Sequence, residues 1–102
     1  MMSNLKLKQL NPEMLKSTLK TIDLSNNRLT RLPDEICEIQ SLENLLLENN
    51  LIYNLPHQFW RLKALKELVL SKNKLQRLPE NFEWLQNLEV LKLDYNRLSS
   101  LP

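Results

Sequence analysis

One spacing constrains this chain above all others. Leu19, Leu42, Leu65 and Leu88 stand 23 residues apart, and the sequence that follows each keeps register without an insertion. An apolar column comes next at Ile22, Leu45, Leu68 and Leu91, then another at Leu24, Leu47, Leu70 and Leu93. Three residues on stands an asparagine every time: Asn27, Asn50, Asn73 and Asn96. The period continues through Leu29, Ile52, Leu75 and Leu98, then Leu32, Leu55, Leu78 and Leu101, each of the latter followed by proline (Pro33, Pro56, Pro79, Pro102). Ile36, Phe59 and Phe82, then Ile39, Leu62 and Leu85, close it. Self-similarity at a fixed period means that each repeat is one unit, able to bury its apolar face only by stacking on its neighbours.

Within a repeat, Ile22 and Leu24 alternate with Thr21, Asp23 and Ser25, a period of two that specifies a short strand with one buried face. Strands of successive repeats run the same way and are expected to pair as a parallel sheet. The asparagine falls inside at the strand's end, where its amide can satisfy backbone groups left open as the chain turns away. The four asparagines therefore read as a structural ladder, not as ligand-binding groups. The Leu-Pro step carries the chain to the opposite face. Pro33, Pro56 and Pro79 suit the first position of a short helical turn, which needs no N–H. Asp34, Glu35 and Glu80 then stand where a helix start favours negative charge.

The string Leu-x-x-Leu-x-Leu-x-x-Asn-x-Leu resembles the leucine-rich repeat. The continuation x-x-Leu-Pro-x-x-Ile/Phe-x-x-Leu-x-x resembles the 23-residue subclass of Ras-group intracellular proteins, found in plants, animals and several bacterial proteins. The resemblance runs from Leu19 to Pro102. It implies an α/β fold, a leucine-rich-repeat solenoid with a curved parallel sheet on the concave face and short helical turns on the convex face. Where the family often has glycine after the Ile/Phe, this chain has Cys37, Trp60 and Glu83. The expected organisation is one structural domain: a degenerate capping repeat at 1–18, full repeats at 19–41, 42–64 and 65–87, and an incomplete repeat at 88–102. In the cap, Leu10-Asn11-Pro12-Glu13-Met14 echoes Leu32-Pro33-Asp34-Glu35-Ile36. Asn11 is the expected helix cap and Pro12 the first helical residue, with Leu7, Leu10, Met14 and Leu15 covering the core. At the other end, Leu91, Leu93, Leu98 and Leu101 are expected to lack a covering neighbour, which favours self-association or a longer array.

Chemistry is sparse. One cysteine and one histidine, Cys37 and His57, cannot form an internal disulfide or a structural zinc site. No cofactor or metal is expected. The N-terminus lacks the roughly 7–15-residue apolar core of a signal peptide, and no stretch approaches the roughly 18 apolar residues of a membrane span. The expected location is cytoplasmic, although an exported bacterial effector would look the same. A net charge of +2, with both signs mixed along the chain, points to neither nucleic acid nor membrane as partner. Cys37 and His57 on the convex side suggest a Cys-His nucleophile only superficially. That face is expected to offer no pocket, no second histidine and no glycine-lined anion site, so Asp34, His57 and Glu80 read as a surface charge ladder and no enzymatic activity is expected.

The positions between the core columns form stripes once the repeats stack. Lys20, Glu43, Lys66 and Glu89 alternate in sign, as paired strands favour. The outward face of the strands carries Thr21, Asn44, Glu67 and Val90; Asp23, Leu46, Val69 and Lys92; Ser25, Glu48, Ser71 and Asp94; and Asn26, Asn49, Lys72 and Tyr95. Leu46, Val69 and Val90 are expected to form a solvent-facing apolar patch ringed by Asp23, Glu48, Glu67 and Asp94, with Tyr95 at its edge. An apolar centre with a charged rim is how protein-binding surfaces are built, and the resemblance implies that partners bind this face. The candidate partner-binding residues are Asp23, Ser25, Asn44, Leu46, Glu48, Glu67, Val69, Ser71, Val90, Lys92, Asp94 and Tyr95. The expected function is a protein-interaction module, an adaptor or signalling scaffold. The alternative is the recognition segment of a larger catalytic or regulatory protein, such as a kinase, ubiquitin ligase, phosphatase or bacterial effector. Trp60 and Trp84 mark either a second contact surface or a shield over the convex turns.

Overall fold

The computed structural model describes residues 15, 16 and 18–99. The capping segment read from Leu5, Leu7, Leu10, Asn11, Pro12 and Met14 lies outside them, as do Leu101 and Pro102. Four three-residue strands, β1 (Thr21–Asp23), β2 (Asn44–Leu46), β3 (Glu67–Val69) and β4 (Val90–Lys92), form one parallel sheet in chain order. The register places Thr21 opposite Asn44, Asn44 opposite Glu67 and Glu67 opposite Val90. The sheet register is thus the sequence period itself. 3-10 turns at Asp34–Glu38, Phe59–Arg61 and Phe82–Trp84 line the opposite side. The apolar columns fill the space between: Leu24, Leu29, Ile36, Leu42, Leu45, Leu47, Ile52, Phe59, Leu65, Leu68, Leu70 and Leu75 have no exposed surface. Phe59 and Phe82 stack with ring centroids 6.5 Å apart and planes 4° from parallel, continuing the column that Ile36 begins.

The asparagines tie one repeat to the next. The Asn50 amide donates to the carbonyls of Leu24 at 3.0 Å and Leu47 at 3.1 Å, and its oxygen accepts the backbone N–H of Leu29 at 3.1 Å. Asn73 does the same one repeat on, donating to Leu47 and Leu70 and accepting from Ile52. Asn96 follows with Leu70, Leu93 and Leu75. Each interior carbonyl of Leu24, Leu47 and Leu70 thereby takes two amides, one from its own repeat and one from the next. A carbonyl has two lone pairs, so both are used. Among the described residues no buried side-chain nitrogen or oxygen is left without a partner.

Two local expectations need correction. Proline does not occupy the first helical position. Pro33 precedes its 3-10 turn in an extended conformation, and its carbonyl accepts the Ile36 N–H at 3.1 Å, as that of Pro56 accepts Phe59 at 3.1 Å. The carbonyl, not the ring, closes the turn. Glu80 consequently lies ahead of its 3-10 turn, in which Glu83 is the acid of the first residues. Cys37, Trp60 and Glu83, at the family's frequent glycine position, lie inside the 3-10 turns and are not among the positive-φ residues. Left-handed backbone occurs instead at Asn26, Asn49, Lys72 and Tyr95, one residue before each ladder asparagine, and at Asn81. This bend ends the strand and aims the next side chain inward. Asparagine accepts that conformation readily, whereas lysine and tyrosine do so at a cost of about 1–2 kcal/mol.

Two predictions follow from this geometry. Asn50→Leu and Asn73→Leu each strand a buried backbone N–H, of Leu29 and Ile52 respectively, and should cost about 1–3 kcal/mol in urea unfolding. A parent-like midpoint would exclude the ladder as a stabilising element. Lys72→Asn should raise stability by about 0.5–1 kcal/mol, since it eases the left-handed backbone, and it adds a third member to the row in which Asn49 donates to Asn26 at 2.9 Å. The same unfolding curve measures it.

Candidate functional site

The register puts the outward strand residues into rows that run across the sheet. Asp23, Leu46, Val69 and Lys92 form one row, and Thr21, Asn44, Glu67 and Val90 another. Ser25, Glu48, Ser71 and Asp94 continue the face just beyond the strands, where ladder bonds such as Leu24 N–H to Leu46 carbonyl extend the pairing. Polar side chains bond along these rows: Asn44 to the Thr21 hydroxyl at 3.1 Å, and the Ser71 hydroxyl to Asp94 at 2.5 Å. The Ser71 bond, helped by a backbone N–H, holds the Asp94 carboxyl below its ordinary range. Within repeat one, Asp23 accepts the Ser25 N–H at 3.0 Å.

Burial sorts the candidates differently from the sequence expectation. Val69 is only 7% exposed and Ser71 only 5%. Both stand in outward rows and are nevertheless buried, Val69 apart from the hydrophobic core cluster and Ser71 bonded to Asp94. Leu46, Asp23, Ser25, Asn44, Glu48 and Glu67 are half-buried. Val90, Lys92, Asp94 and Tyr95 are exposed, Tyr95 most of all at 75%. The apolar surface that a partner can reach is therefore Leu46 and Val90, with Val69 as floor between them. Four carboxylates, Asp23, Glu48, Glu67 and Asp94, surround it against the ammonium groups of Lys72 and Lys92, both of which act on Asp94. In the adjoining stripe, Lys66 meets Glu43 at 3.9 Å, with Lys66 exposed and Glu43 half-buried, so that largely solvated pair contributes little.

On the convex side, Trp60 and Trp84 meet edge to face with centroids 5.2 Å apart. The Lys63 ammonium lies 5.3 and 5.6 Å from the two rings and donates to the Trp84 carbonyl at 3.2 Å. The aromatic pair is thus already occupied by a cation of the same chain. Contrary to the expectation of a face without a pocket, Cys37 and His57 line one crevice of about 190 Å³ together with Asp34, Glu38 and Arg61. Cys37 is buried, and burial, reinforced by the Asp34 carboxylate, pushes its thiol up to about 11. A nucleophilic cysteine needs the opposite shift. Among the described residues no cluster of His, Cys, Asp and Glu could hold a metal ion, and no helix is long and apolar enough to cross a membrane.

A leucine-rich-repeat family profile matches residues 1–52 and 40–98. The chain belongs to the leucine-rich-repeat family. It is similar, at 34% identity and a TM-score of 0.77, to the solved structure of a leucine-rich-repeat protein of Leptospira interrogans, over 95% of this chain and 31% of that one. The chain therefore spans about a third of that protein's length. No curated protein sequence matches it. Leucine-rich-repeat domains generally mediate protein–protein interaction and are typically not catalytic.

The thiol gives a direct test of the inert reading of the convex crevice. With its pKa raised to about 11 by burial, the Cys37 thiol stays almost wholly protonated at pH 8. Reaction with a disulfide reagent such as dithionitrobenzoate should be far slower in the folded chain than in denaturant. Equal rates in both conditions would restore Cys37 as a reactive group.

Proposed function

We propose that this repeat segment is a protein-interaction module, an adaptor or scaffold that takes its partner on the concave sheet face through Leu46, Val90 and Tyr95 within a carboxylate rim. The observation that carries this reading is the half-exposed Leu46–Val90 pair. The interior columns already supply the core, so the fold does not require apolar side chains on the outer face. Interface centres combine apolar and aromatic groups with a polar rim. Four rim carboxylates against Lys72 and Lys92 favour a partner surface that is basic where it meets the rim. We also place the chain in the 23-residue subclass, on the strength of its invariant period and Leu-Pro step, and its setting in the cytoplasm.

A second reading makes the same face the recognition surface of a larger catalytic or regulatory protein. The solved Leptospira leucine-rich-repeat chain, 31% of which is matched, is an example of such repeats within a longer polypeptide. In both readings the face does the recognising and chemistry lies in other residues.

The test is the pair Leu46→Lys and Val90→Lys, with Val69 left intact because it is buried. Leu46 is half-buried, so a lysine there can carry its head to solvent, and both changes should leave circular dichroism and melting unchanged. A partner captured by the parent chain should bind the double variant at least about thirtyfold more weakly in calorimetry, the size of a hot-spot loss. Undiminished binding with the fold intact would move the site off this face.

A further inference from the structure

Charge is mixed along the sequence but not over the surface. The chain passes four times along the flank of the solenoid that joins the sheet to the convex turns, at residues 27–31, 50–54, 73–77 and 96–99. These segments hold Arg28, Arg31, Lys74, Arg77 and Arg97 and no Asp or Glu. All five cations are exposed, and none makes an ion pair among the described residues. The strand-bearing segments, 20–25, 43–48, 66–71 and 89–94, carry six carboxylates against three ammonium groups. The convex segments, 32–42, 55–65 and 78–88, carry five carboxylates against Arg61 and Lys63. A purely positive strip thus lies between two faces in which acids predominate.

The strip has a distinct middle. Repeat two contributes no charge to it, but Leu51 at 38% exposure, Tyr53 at 45%, and Asn54. Arg28 and Arg31 stand on one side of this middle, Lys74 and Arg77 on the other. The backbone beneath is fixed by bonds between repeats, from Leu51 N–H to Leu29 carbonyl at 2.7 Å, Tyr53 to Thr30 at 3.2 Å and Lys74 to Ile52 at 2.8 Å. Beside it runs a groove of about 660 Å³, banked by Arg31, Asn54 and Arg77 on one side and by Asp34, His57 and Glu80 on the other.

We propose that this flank is a second docking surface, distinct from the concave face, for an acidic peptide segment with an apolar centre. Side chains on equivalent positions two repeats apart, as Arg31 and Arg77 are, stand roughly 10 Å from each other at the strand spacing of the sheet. An extended peptide rises about 3.4 Å per residue, so carboxylates three residues apart reach both guanidinium groups while the residues between them cover Leu51 and Tyr53. Arginine pairs with carboxylate through two parallel hydrogen bonds, and tyrosine supplies contact area at the centre. A nucleic-acid backbone fits less well: its charge is continuous, whereas this strip is uncharged in the middle and bounded by carboxylates on both sides.

The experiment uses fluorescence anisotropy with the whole chain and a labelled peptide Glu-Asp-Leu-Phe-Asp-Glu. Hexaglutamate, the lysine-flanked counterpart Lys-Lys-Leu-Phe-Lys-Lys and a thymidine oligomer serve as comparison probes. The acidic peptide should bind best, more weakly as salt rises. R31E with R77E should weaken it by at least about tenfold, as should R28E with K74E if the first pair fails to fold. Tyr53→Ala should lower affinity while leaving the salt dependence unchanged, and Leu46→Lys with Val90→Lys should have no effect. Equal binding of hexaglutamate would overturn the apolar centre, and tighter binding of the thymidine oligomer would reassign the strip to nucleic acid. Peptide binding unaffected by both charge reversals would remove the site. A concentration-dependent dimer of the chain that R31E with R77E dissolves would make the occupant a second copy and overturn the peptide assignment.

Discussion

Everything in this structure hangs on the inward asparagine amide. A strand only three residues long has few ladder bonds of its own, and the chain must leave the sheet immediately afterwards. That exit would strand carbonyls such as those of Leu24 and Leu47 and N–H groups such as those of Leu29 and Ile52 inside an apolar stack. One side chain meets all of these demands, because a carboxamide donates twice and accepts at its oxygen. Asn50 and Asn73 do this across the boundary between repeats. The same groups that satisfy the turn therefore set the stacking register. Leucine in that column would gain burial and lose the junction.

Rigidity on the outer surfaces derives from this interior. The bonds from Leu51, Tyr53 and Lys74 to the preceding repeat hold the flank, and the continuation of the sheet pairing through Leu24, Asn26, Leu47 and Asn49 holds the concave rows. Exposed residues consequently stand at fixed intervals set by the stack. A recognition surface built this way gives up little conformational freedom on binding, the general advantage of preorganisation. It also separates tasks: columns that point inward determine the fold, and columns that point outward vary, from Thr21 to Val90 in one row and from Asp23 to Lys92 in the next.

The fold was legible because its determinants recur. Nine columns in phase specify the strand, the asparagine corner and the apolar side of the convex turn, and the register read from Leu19 to Leu88 is the register of β1 to β4. What escaped the sequence depends on neighbours in space. Val69 looked like a surface valine because it alternates with Leu68 and Leu70, yet it is only 7% exposed. The left-handed backbone at Lys72 and Tyr95 was hidden by side chains that do not favour it, although Asn26 and Asn49 in the same column were a usable signal. Proline's place before the 3-10 turn was misread because the carbonyl matters there more than the missing N–H. The basic flank was invisible for a different reason. Arg28, Arg31, Lys74 and Arg77 are separated in the chain by neutral and acidic stretches, and only the period brings them to one side.

The coincidence of sequence period and sheet register has a consequence for the gene. Residues 42–64 could be excised and Ser41 joined to Leu65, and the new junction would meet the same kind of leucine, the same kind of asparagine and the same backbone partners as the old one. A cut whose length is not a whole multiple of the period would set core columns against solvent columns. Slippage or unequal crossing-over between repeats of coding sequence therefore changes the length of such a protein in whole structural steps, leaving a foldable product each time. Reach along the binding faces becomes a quantity that recombination can adjust without first solving a folding problem.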